Sequence, residues 1–389
     1  MVHILDSTLR EGEQTPGVYF DPHIKLAIAQ LLDAVGVDFI EAGHPRVGPE
    51  IHSVVRTLGS AGLKATVAAH ARSLHEDVDM ALECGVGMLG IFYCVSDRRL
   101  AGVFQKGLDE AVEQIASVIA YAKSQQPDLL VRYTPEDTVR SEHDNVIAAT
   151  VAAVKAGADI ISIADTTGLM VPGTPHNLYD YVRRLKSELE HRNLAPMIAV
   201  HCHNDRGLAL ANALDAVRAG ADIIDVSVLG LGERAGIVDM AQLMAVLDQD
   251  FQLDHSWRLD KLPELYSLVS RYAGVPIPQN YPIVGANAFT HCAGVHTQAA
   301  NQNPLHYRSL DPALFGRVEH VCLDHMSGGA SIDYGLRQLG IDDVDAETRR
   351  RLLAEVKSIG QKGRTVSTEE LAHLVAFCSA RDAQPTEVS

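Results

Sequence analysis

Short apolar runs alternate with amphipathic stretches over the first 250 residues, and this alternation restricts the fold more than any other feature of the chain. Short apolar runs are typical of buried parallel strands, whereas the stretches between them have the period of helices. The predicted strands are Val2–Asp6, Phe39–Ala42, Lys64–Ala69, Met88–Tyr93, Leu129–Thr134, Ile160–Ala164, Met197–His201 and Ile223–Val226. Strand–helix units of this number and length predict a (β/α)8 TIM barrel of the α/β class.

Four of the predicted strands are preceded by closely similar phrases with a central glycine. These phrases are Ala34–Asp38, Glu83–Gly87, Lys155–Asp159 and Arg218–Asp222. Because glycine readily adopts the left-handed conformation that ends many helices, each phrase predicts a helix end followed by a strand. The amphipathic helices predicted between strands include Pro22–Ala34, Ser141–Ala156, Pro175–His191 and Leu208–Ala219.

The chain changes character after about residue 250, where prolines and small polar residues replace the regular alternation. We predict three parts: a barrel over residues 1–250, a linker and lid segment over 251–311, and a helical C-terminal subdomain over 312–389. Within the last part, Ala346–Ile359 and Ser367–Phe377 have helical periodicity.

Charge and cysteine usage narrow the class of function. The chain has 33 Lys and Arg against 50 Asp and Glu, and its formal net charge is −17. Such a charge opposes nonspecific binding to nucleic acid and attraction to anionic membranes, so no such partner is expected. The six cysteines are scattered, which indicates reduced thiols, and no secretory leader or long apolar run is found. These features predict a cytoplasmic protein.

Polar and ionisable residues follow the predicted strands. Barrel enzymes place their chemistry at the carboxyl ends of the strands, so these side chains are expected to converge on one mouth. They are Arg10, Glu11, Glu41, His44, His70, Arg72, Arg132, Thr134, Glu136, Asp165, Thr166, Thr167, His201, His203, Glu233 and Arg234. A stable barrel does not need charged groups there, and their number therefore favours a functional site.

His201 and His203 end an apolar run and are separated by one residue. Because side chains alternate along a strand, the two imidazoles share a face while Cys202 points away. Two imidazoles on a rigid edge, together with a carboxylate from elsewhere, would form a divalent-metal site with open positions. The alternative is that two polar residues simply cap a strand.

Five motifs in a fixed order resemble the family of metal-dependent barrel acyltransferases and lyases that includes homocitrate, 2-isopropylmalate and citramalate synthases and hydroxymethylglutaryl-CoA lyase. They are Asp6–Gln14, Arg132–Asp137, Ala164–Gly168, His201–Asp205 and Gly230–Gly236. The last motif lacks the cysteine that lyases carry in this loop, so the chain is more similar to the synthases. Its length and Lys362–Arg364 are closest to the homocitrate synthase group.

The resemblance implies condensation of acetyl-CoA with a 2-oxo acid. It also implies a divalent metal ion (zinc, manganese, cobalt or iron) held by Glu11, His201 and His203, with Arg10 as a fixed cation beside the substrate oxygen. A surface ion pair between Arg10 and Glu11 is the alternative. In such synthases a C-terminal histidine and tyrosine enter the partner's active site, which implies a homodimer with exchanged segments. The residues that match here are His296 and Tyr307, and Glu136 completes the expected proton relay.

The expected contacts to the 2-oxo acid are Gln14, Glu41, His44, His70, Arg132, Thr134 and Thr166. His44 and Arg46 stand where isopropylmalate synthases have apolar or small residues, which favours a substrate with a second anionic group, such as 2-oxoglutarate. An apolar 2-oxo acid would leave these groups unpaired in a desolvated pocket. A phosphonate or phosphinate 2-oxo acid is the runner-up, and a surface role for His44 and Arg46 is the other interpretation. A citramalate- or isopropylmalate-type synthase, a lyase and a noncatalytic barrel subunit remain as alternatives.

Overall fold

A computed structural model describes residues 2–294, 303 and 306–380. By its internal contacts the chain divides into two units, Met1–Ile277 and Pro278–Ser389. Among the described residues, no helix has both the length and the apolar character that crossing a membrane requires.

The first unit is built around eight parallel strands that close into a barrel in the order in which they occur along the chain. The strands are β1 (His3–Asp6), β2 (Phe39–Gly43), β3 (Thr66–Arg72), β4 (Met88–Cys94), β5 (Leu130–Glu136), β6 (Ile160–Asp165), β7 (Met197–Cys202) and β8 (Ile223–Val226). Closure comes from the pairing of β1 with β8, in which Leu5 is the register partner of Asp225. The predicted TIM barrel is confirmed.

Helices surround the barrel and alternate with its strands. They are α1 (Pro22–Val35), α2 (Pro49–Gly59), α3 (His75–Leu82), the short turn α4 (Asp97–Arg99), α5 (Leu108–Gln125), α6 (His143–Lys155), α7 (Leu178–Glu190), α8 (Ala209–Arg218), α9 (Met240–Gln249) and α10 (Leu262–Ala273). The four glycines of the repeated phrases, Gly36, Gly85, Gly157 and Gly220, all have positive φ angles. The left-handed conformation expected of them is therefore present.

Two strands extend at least two residues further toward the carboxyl end than their apolar runs indicated. β3 continues through His70 to Arg72, and β5 continues through Thr134 to Glu136. Backbone hydrogen bonds between neighbouring strands continue through these polar positions. The end of an apolar run therefore does not coincide with the end of the strand. As a result these side chains start from rigid strands and not from loops.

The first unit extends into the segment that we predicted as linker and lid. Helix α10 lies within residues 251–311 but belongs to the barrel unit. Its Tyr266 is fully buried and its hydroxyl group donates a hydrogen bond to Asp239 at 2.9 Å. The amphipathic face of this helix packs on the barrel, whereas the proline-containing segment without helix or strand starts only at Val275.

Among its described residues, the second unit has a short parallel strand pair and three α-helices. Thr290–His291 pairs with His320–Val321, and the helices are Gly329–Gln338, Ala346–Gly360 and Thr368–Ala380. Its own apolar core includes Leu323, Ile332, Leu352 and Leu371. The helices predicted near residues 346–359 and 367–377 are both present.

Candidate active site

The carboxyl ends of the barrel strands surround a cavity of about 510 Å³. Twelve of the residues selected from the sequence line it: Arg10, Glu11, Gln14, His44, His70, Arg132, Thr134, Glu136, Thr166, His201, His203 and Glu233. The closed barrel brings together groups that are nearly two hundred residues apart along the chain, because all strand ends meet at one mouth.

Glu11, His201 and His203 form a compact cluster in this cavity. Each residue offers one ligand atom, these atoms lie within 4.8 Å of one another, and all three residues are buried. The two imidazoles face each other, with their Nε2 atoms 3.3 Å apart. His201 and His203 thus share a face at the end of β7, while the Cys202 side chain is fully buried on the opposite face.

The charge states in the cluster suit a divalent cation. Burial, together with the neighbouring His201, lowers the pKa of His203 to about 4, so this imidazole is neutral at physiological pH, as a metal ligand must be. Burial alone would raise the pKa of Glu11, but Arg10 and the imidazoles bring it below its ordinary value. Two imidazole nitrogens and one carboxylate are a donor set that fits a divalent transition-metal ion.

The loop after β8 holds the Glu11 carboxylate from the other side. The backbone N–H group of Glu233 donates to Glu11 Oε1 at 3.1 Å. A Cβ atom at Gly232 would lie 3.1 Å from Glu11 Cγ, closer than side chains normally approach. A glycine at position 232 therefore allows the loop to pass against the cluster.

Arg10 is held between two carboxylates. Its Nη1 atom lies 2.5 Å from Glu11 Oε2, and its Nε atom lies 2.7 Å from Glu41 Oε2. Glu41 also accepts a hydrogen bond from Ser7 and lies 3.0 Å from Nδ1 of His70. Although burial opposes its ionisation, Arg10 and His70 keep the pKa of Glu41 well below its usual range.

The sequence predicts that Glu41 contacts the substrate, but Glu41 does not line the cavity. Its two oxygens instead bind Arg10 and His70, which do line it. The geometry therefore gives Glu41 a positioning role for two cavity residues.

Asp225 was not selected from the sequence, yet it organises the base of the cavity. It accepts two hydrogen bonds from Arg132, at 2.9 and 2.6 Å, and lies 2.9 Å from Nδ1 of His201. The Arg132 guanidinium also donates to Ser162 at 2.6 Å. An acidic residue inside an otherwise apolar strand is rarely buried unless paired, and this signal could have identified Asp225.

His44 and Arg46, the residues expected to favour a second anionic group, lie in different surroundings. His44 and His70 line the cavity, with ring centroids 6.3 Å apart. Arg46 does not line it and lies on the surface, 3.4 Å from Glu76. Arg72 binds Asp77 with two hydrogen bonds, and Asp77 also lies 3.1 Å from Nε2 of His44. The surface interpretation therefore holds for Arg46 but not for His44.

The remaining selected residues have the following surroundings. Glu136 accepts a hydrogen bond from Arg99 at 2.8 Å, and the Thr166 hydroxyl group accepts one from the backbone N–H group of Asp137 at 3.0 Å. The Gln14 amide lies 3.1 Å from Glu11 Oε1, to which it donates when its nitrogen faces that atom. Tyr307 belongs to the second unit and is 47% exposed, and His296 lies outside the described residues.

Comparison with family models assigns both parts of the chain. Residues 1–269 match the HMGL-like family, and residues 283–364 match the family described as homocitrate synthase post-HMGL domain-like. The chain belongs to the HMGL-like family. Its members are enzymes, and the second match identifies this chain with the acyltransferases among them.

Relatives of this family with similar sequences are named homocitrate synthase. The protein of Pyrococcus horikoshii is 45% identical over 356 residues, which cover 91% of this chain and 94% of the relative. The protein of Saccharolobus islandicus strain L.S.2.15 is 40% identical over 361 residues, which cover 92% of this chain and 76% of the relative.

Solved structures in the HMGL-like family share the barrel. The HMG-CoA lyase of Bacillus subtilis superposes with a TM-score of 0.60 at 24% identity, covering 71% of this chain and 95% of the lyase. The lyase of Pseudomonas aeruginosa gives a TM-score of 0.57 at 23% identity, covering 71% of this chain and 94% of that structure. At this identity the likeness confirms the fold alone.

Proposed function

We propose that this protein condenses acetyl-CoA with a 2-oxo acid that carries a second anionic group, as a homocitrate synthase does with 2-oxoglutarate. The methyl carbon of acetyl-CoA, after losing a proton, forms a bond to the ketone carbon of the 2-oxo acid, whose oxygen becomes a hydroxyl group. Water then hydrolyses the thioester of this adduct, which gives a substituted 2-hydroxy acid and free CoA. The observation that carries the proposal is the cluster of Glu11, His201 and His203 beside Arg10, in a chain whose similar relatives are named homocitrate synthase.

A divalent ion held by Glu11, His201 and His203 would polarise the ketone of the 2-oxo acid and compensate negative charge that develops on its oxygen. Arg10 is fixed by Glu11 and Glu41 and contributes a permanent positive charge at the same place. Because both partners hold the guanidinium before substrate arrives, little reorganisation is needed during the reaction.

Carbon–carbon bond formation requires that the methyl group of the thioester lose a proton. We assign this transfer to Glu136, which lines the cavity, together with His296 and Tyr307.

The homodimer with exchanged C-terminal segments and the cytoplasmic location are part of the same proposal. Sedimentation analysis tests the dimer, and mixing two inactive variants, one altered at Arg10 and one at His296, tests the exchange through recovery of activity.

His44, His70 and Arg132 favour a second anionic group on the substrate. Burial lowers the pKa of His70, and its Nδ1 faces the ionised Glu41, so a substrate carboxylate beside this ring would stabilise its protonated form. Other parts of the cavity wall are apolar, among them Val47 and Ile51. A branched apolar 2-oxo acid would contact these residues. Activity against a panel of 2-oxo acids distinguishes such a substrate from one with a second anionic group.

Release of free thiol from acetyl-CoA, measured against a panel of 2-oxo acids with and without a chelator, tests the function. The panel contains 2-oxoglutarate, oxaloacetate, phosphonopyruvate, pyruvate and 2-oxoisovalerate. We expect the highest kcat/KM with a dianionic acid and loss of activity with chelator. Activity with 2-oxoisovalerate alone would contradict the proposed substrate class, and thioester cleavage of a hydroxyacyl-CoA without condensation would indicate a lyase.

A further inference from the structure

Lys25 is a buried cation that the proposed mechanism does not use. It lies near the start of α1, is 1% exposed, and is one of the largest fully buried side chains of the protein. Other buried positions of this helix, such as Ile28 and Leu32, are apolar. Because a lysine is almost never fully buried unless its ammonium group is paired, the partners of Lys25 indicate why a charge is present here.

The ammonium group of Lys25 contacts the chain on both sides of Arg10–Glu11. Its Nζ atom donates to the backbone carbonyl of Leu9 at 3.2 Å and lies 2.5 Å from Glu13 Oε2. Leu9 directly precedes these two residues, and Glu13 follows them after one further residue. We call residues 9–13 the β1 turn. One cation therefore spans the turn that presents a proposed metal ligand and the fixed positive charge beside it.

Glu13 connects the β1 turn to the segment that enters α1. Its Oε1 atom accepts a hydrogen bond from the backbone N–H group of Phe20 at 2.9 Å. Phe20 is 1% exposed, and α1 begins two residues later at Pro22. With one oxygen on Lys25 and the other on Phe20, both carboxylate atoms of Glu13 are fixed. The β1 turn is thereby joined to a helix whose apolar face is buried.

The β1 turn also has supports that carry no charge. The backbone carbonyl of Ser7 accepts hydrogen bonds from three consecutive N–H groups, at residues 10–12. Thr15, just after the turn, exchanges two hydrogen bonds with the backbone of Gly232, at 2.9 and 3.1 Å. These bonds hold the turn from β1 and from the loop after β8, whereas Lys25 holds it from α1. The turn is therefore fixed from three sides before any ligand arrives.

The partners of Lys25 require a donor and not merely a side chain of its size. A methionine could fill the same volume but could bind neither the Leu9 carbonyl nor the Glu13 carboxylate. Loss of the donor would leave these oxygen atoms unsatisfied, which favours a rearrangement that exposes them to water. Leu9 and Glu13 both line the active-site cavity, so such a rearrangement would displace the turn at the cavity wall.

We propose that Lys25 is a positioning residue of the proposed metal site, because it fixes the β1 turn so that the Glu11 carboxylate stays within reach of His201 and His203. The inference rests on the proposed function for the identity of the site, whereas the contacts of Lys25 are independent of it. Lys25 does not line the cavity, and it acts through the residues on either side of Arg10 and Glu11.

The test compares K25M with the matched control K123M. Lys123, on α5, has the same two kinds of partner: its Nζ atom donates to the backbone carbonyl of Leu129 and lies 2.7 Å from Asp159 Oδ2. Leu129 and Asp159 directly precede β5 and β6, at the end of the barrel opposite the cavity. K123M therefore removes an equivalent lysine without altering the β1 turn.

Zinc affinity of each metal-free variant is measured by competition with a fluorescent chelator, in the absence of substrates. The kcat and KM values for acetyl-CoA and 2-oxoglutarate are measured separately, and urea unfolding establishes that each variant is folded. We expect K25M to weaken zinc binding at least about tenfold and to lower kcat, because Glu11 and Arg10 both shift. K123M should also lose stability, but its zinc affinity and kcat should stay within about twofold of the wild type.

The variants E13Q and K25M/E13Q make the test independent of whether K25M folds. E13Q keeps the shape of the side chain, removes the charge that faces Lys25, and should also weaken zinc binding. Because Lys25 acts through Glu13, the zinc affinity of the double variant should be close to that of K25M. Equal zinc affinities of K25M and K123M would overturn the inference, as would wild-type affinity in E13Q or additive losses in the double variant. If K25M weakens zinc binding but the wild type condenses no 2-oxo acid, the proposed function fails while the role of Lys25 stands.

Discussion

The Oδ2 atom of Asp225 lies 2.9 Å from Nδ1 of His201, and the same carboxylate binds Arg132 through two further hydrogen bonds. Asp225 is 1% exposed, and although burial opposes its ionisation, Arg132 and His201 keep its pKa below the ordinary value. An ionised Asp225 fixes a proton on Nδ1, so that the Nε2 lone pair of His201 faces His203. One buried carboxylate thus sets the tautomer of a proposed metal ligand.

Replacement of Asp225 by Asn should weaken metal binding about 10- to 100-fold, because the amide no longer fixes the His201 tautomer with a negative charge. Competitive titration with a fluorescent zinc chelator measures this affinity. The control D222N alters the residue just before β8, where Asp222 accepts a hydrogen bond from the backbone N–H group of Ile198. Equal metal affinities for D225N and D222N would contradict the orienting role of Asp225.

Removal of the Glu11 carboxylate should abolish metal content and turnover together. The E11A variant loses one of three ligand atoms, and the charge that holds Arg10 in place. We expect metal content near background by elemental analysis and a fall in kcat of at least about 100-fold. E50A, at the exposed start of α2, should retain both properties. Normal turnover in metal-free E11A would remove Glu11 from the proposed site.

Asp6 should make the folded protein less stable as pH rises. Burial raises its pKa from 3.8 to about 7, although two hydrogen bonds from Thr8 act in the opposite direction. Between these values the unfolded chain ionises Asp6 and the folded protein does not, so the free energy of unfolding decreases from about pH 4 to pH 7. The expected contribution is a few kcal/mol, at about 1.4 kcal/mol per unit of pKa difference.

Urea unfolding of the wild type and D6N at several pH values tests this expectation. Asn has the same shape as Asp but does not titrate, so the wild type should lose stability relative to D6N between about pH 4 and pH 7 and no further above that range. Near pH 4 the comparison serves as an internal control, since Asp6 is then protonated in the folded protein. Parallel pH profiles for the two proteins would contradict the raised pKa.

Tyr266 should contribute strongly to the attachment of α10 to the barrel unit. Its hydroxyl group donates to Asp239 and accepts a hydrogen bond from the backbone N–H group of Ala241 at 2.8 Å. Y266F removes both bonds in a fully buried place, and we expect a loss of about 1–3 kcal/mol in the free energy of unfolding. Y272F, on the same helix but 45% exposed, should change it by less than about 0.5 kcal/mol. Equal losses in the free energy of unfolding for Y266F and Y272F would contradict the contribution assigned to Tyr266.

Strands, helices and the barrel could be predicted because their signals are local. The apolar runs and the four glycine phrases act over a few neighbouring residues, and Gly36 and Gly157 have the positive φ angles expected of them. The rule that strand ends meet at one mouth then sufficed to select Arg10, His201 and most of the other ionisable residues that line the cavity. Period-two alternation alone placed His201 and His203 on one face.

Only the tertiary structure decided which charged groups pair. Glu41 stands behind Arg10 and His70 and outside the cavity wall, Arg46 lies on the surface, and Asp225 joins His201 to Arg132. These outcomes depend on the tilt and register of neighbouring strands, which no local pattern encodes. The sequence by itself determined the residue types and the order of the elements, because periodicity and turn preferences are short-range. The charge network required the closed barrel, because its partners are up to 93 residues apart and meet only when β5, β7 and β8 surround one interior.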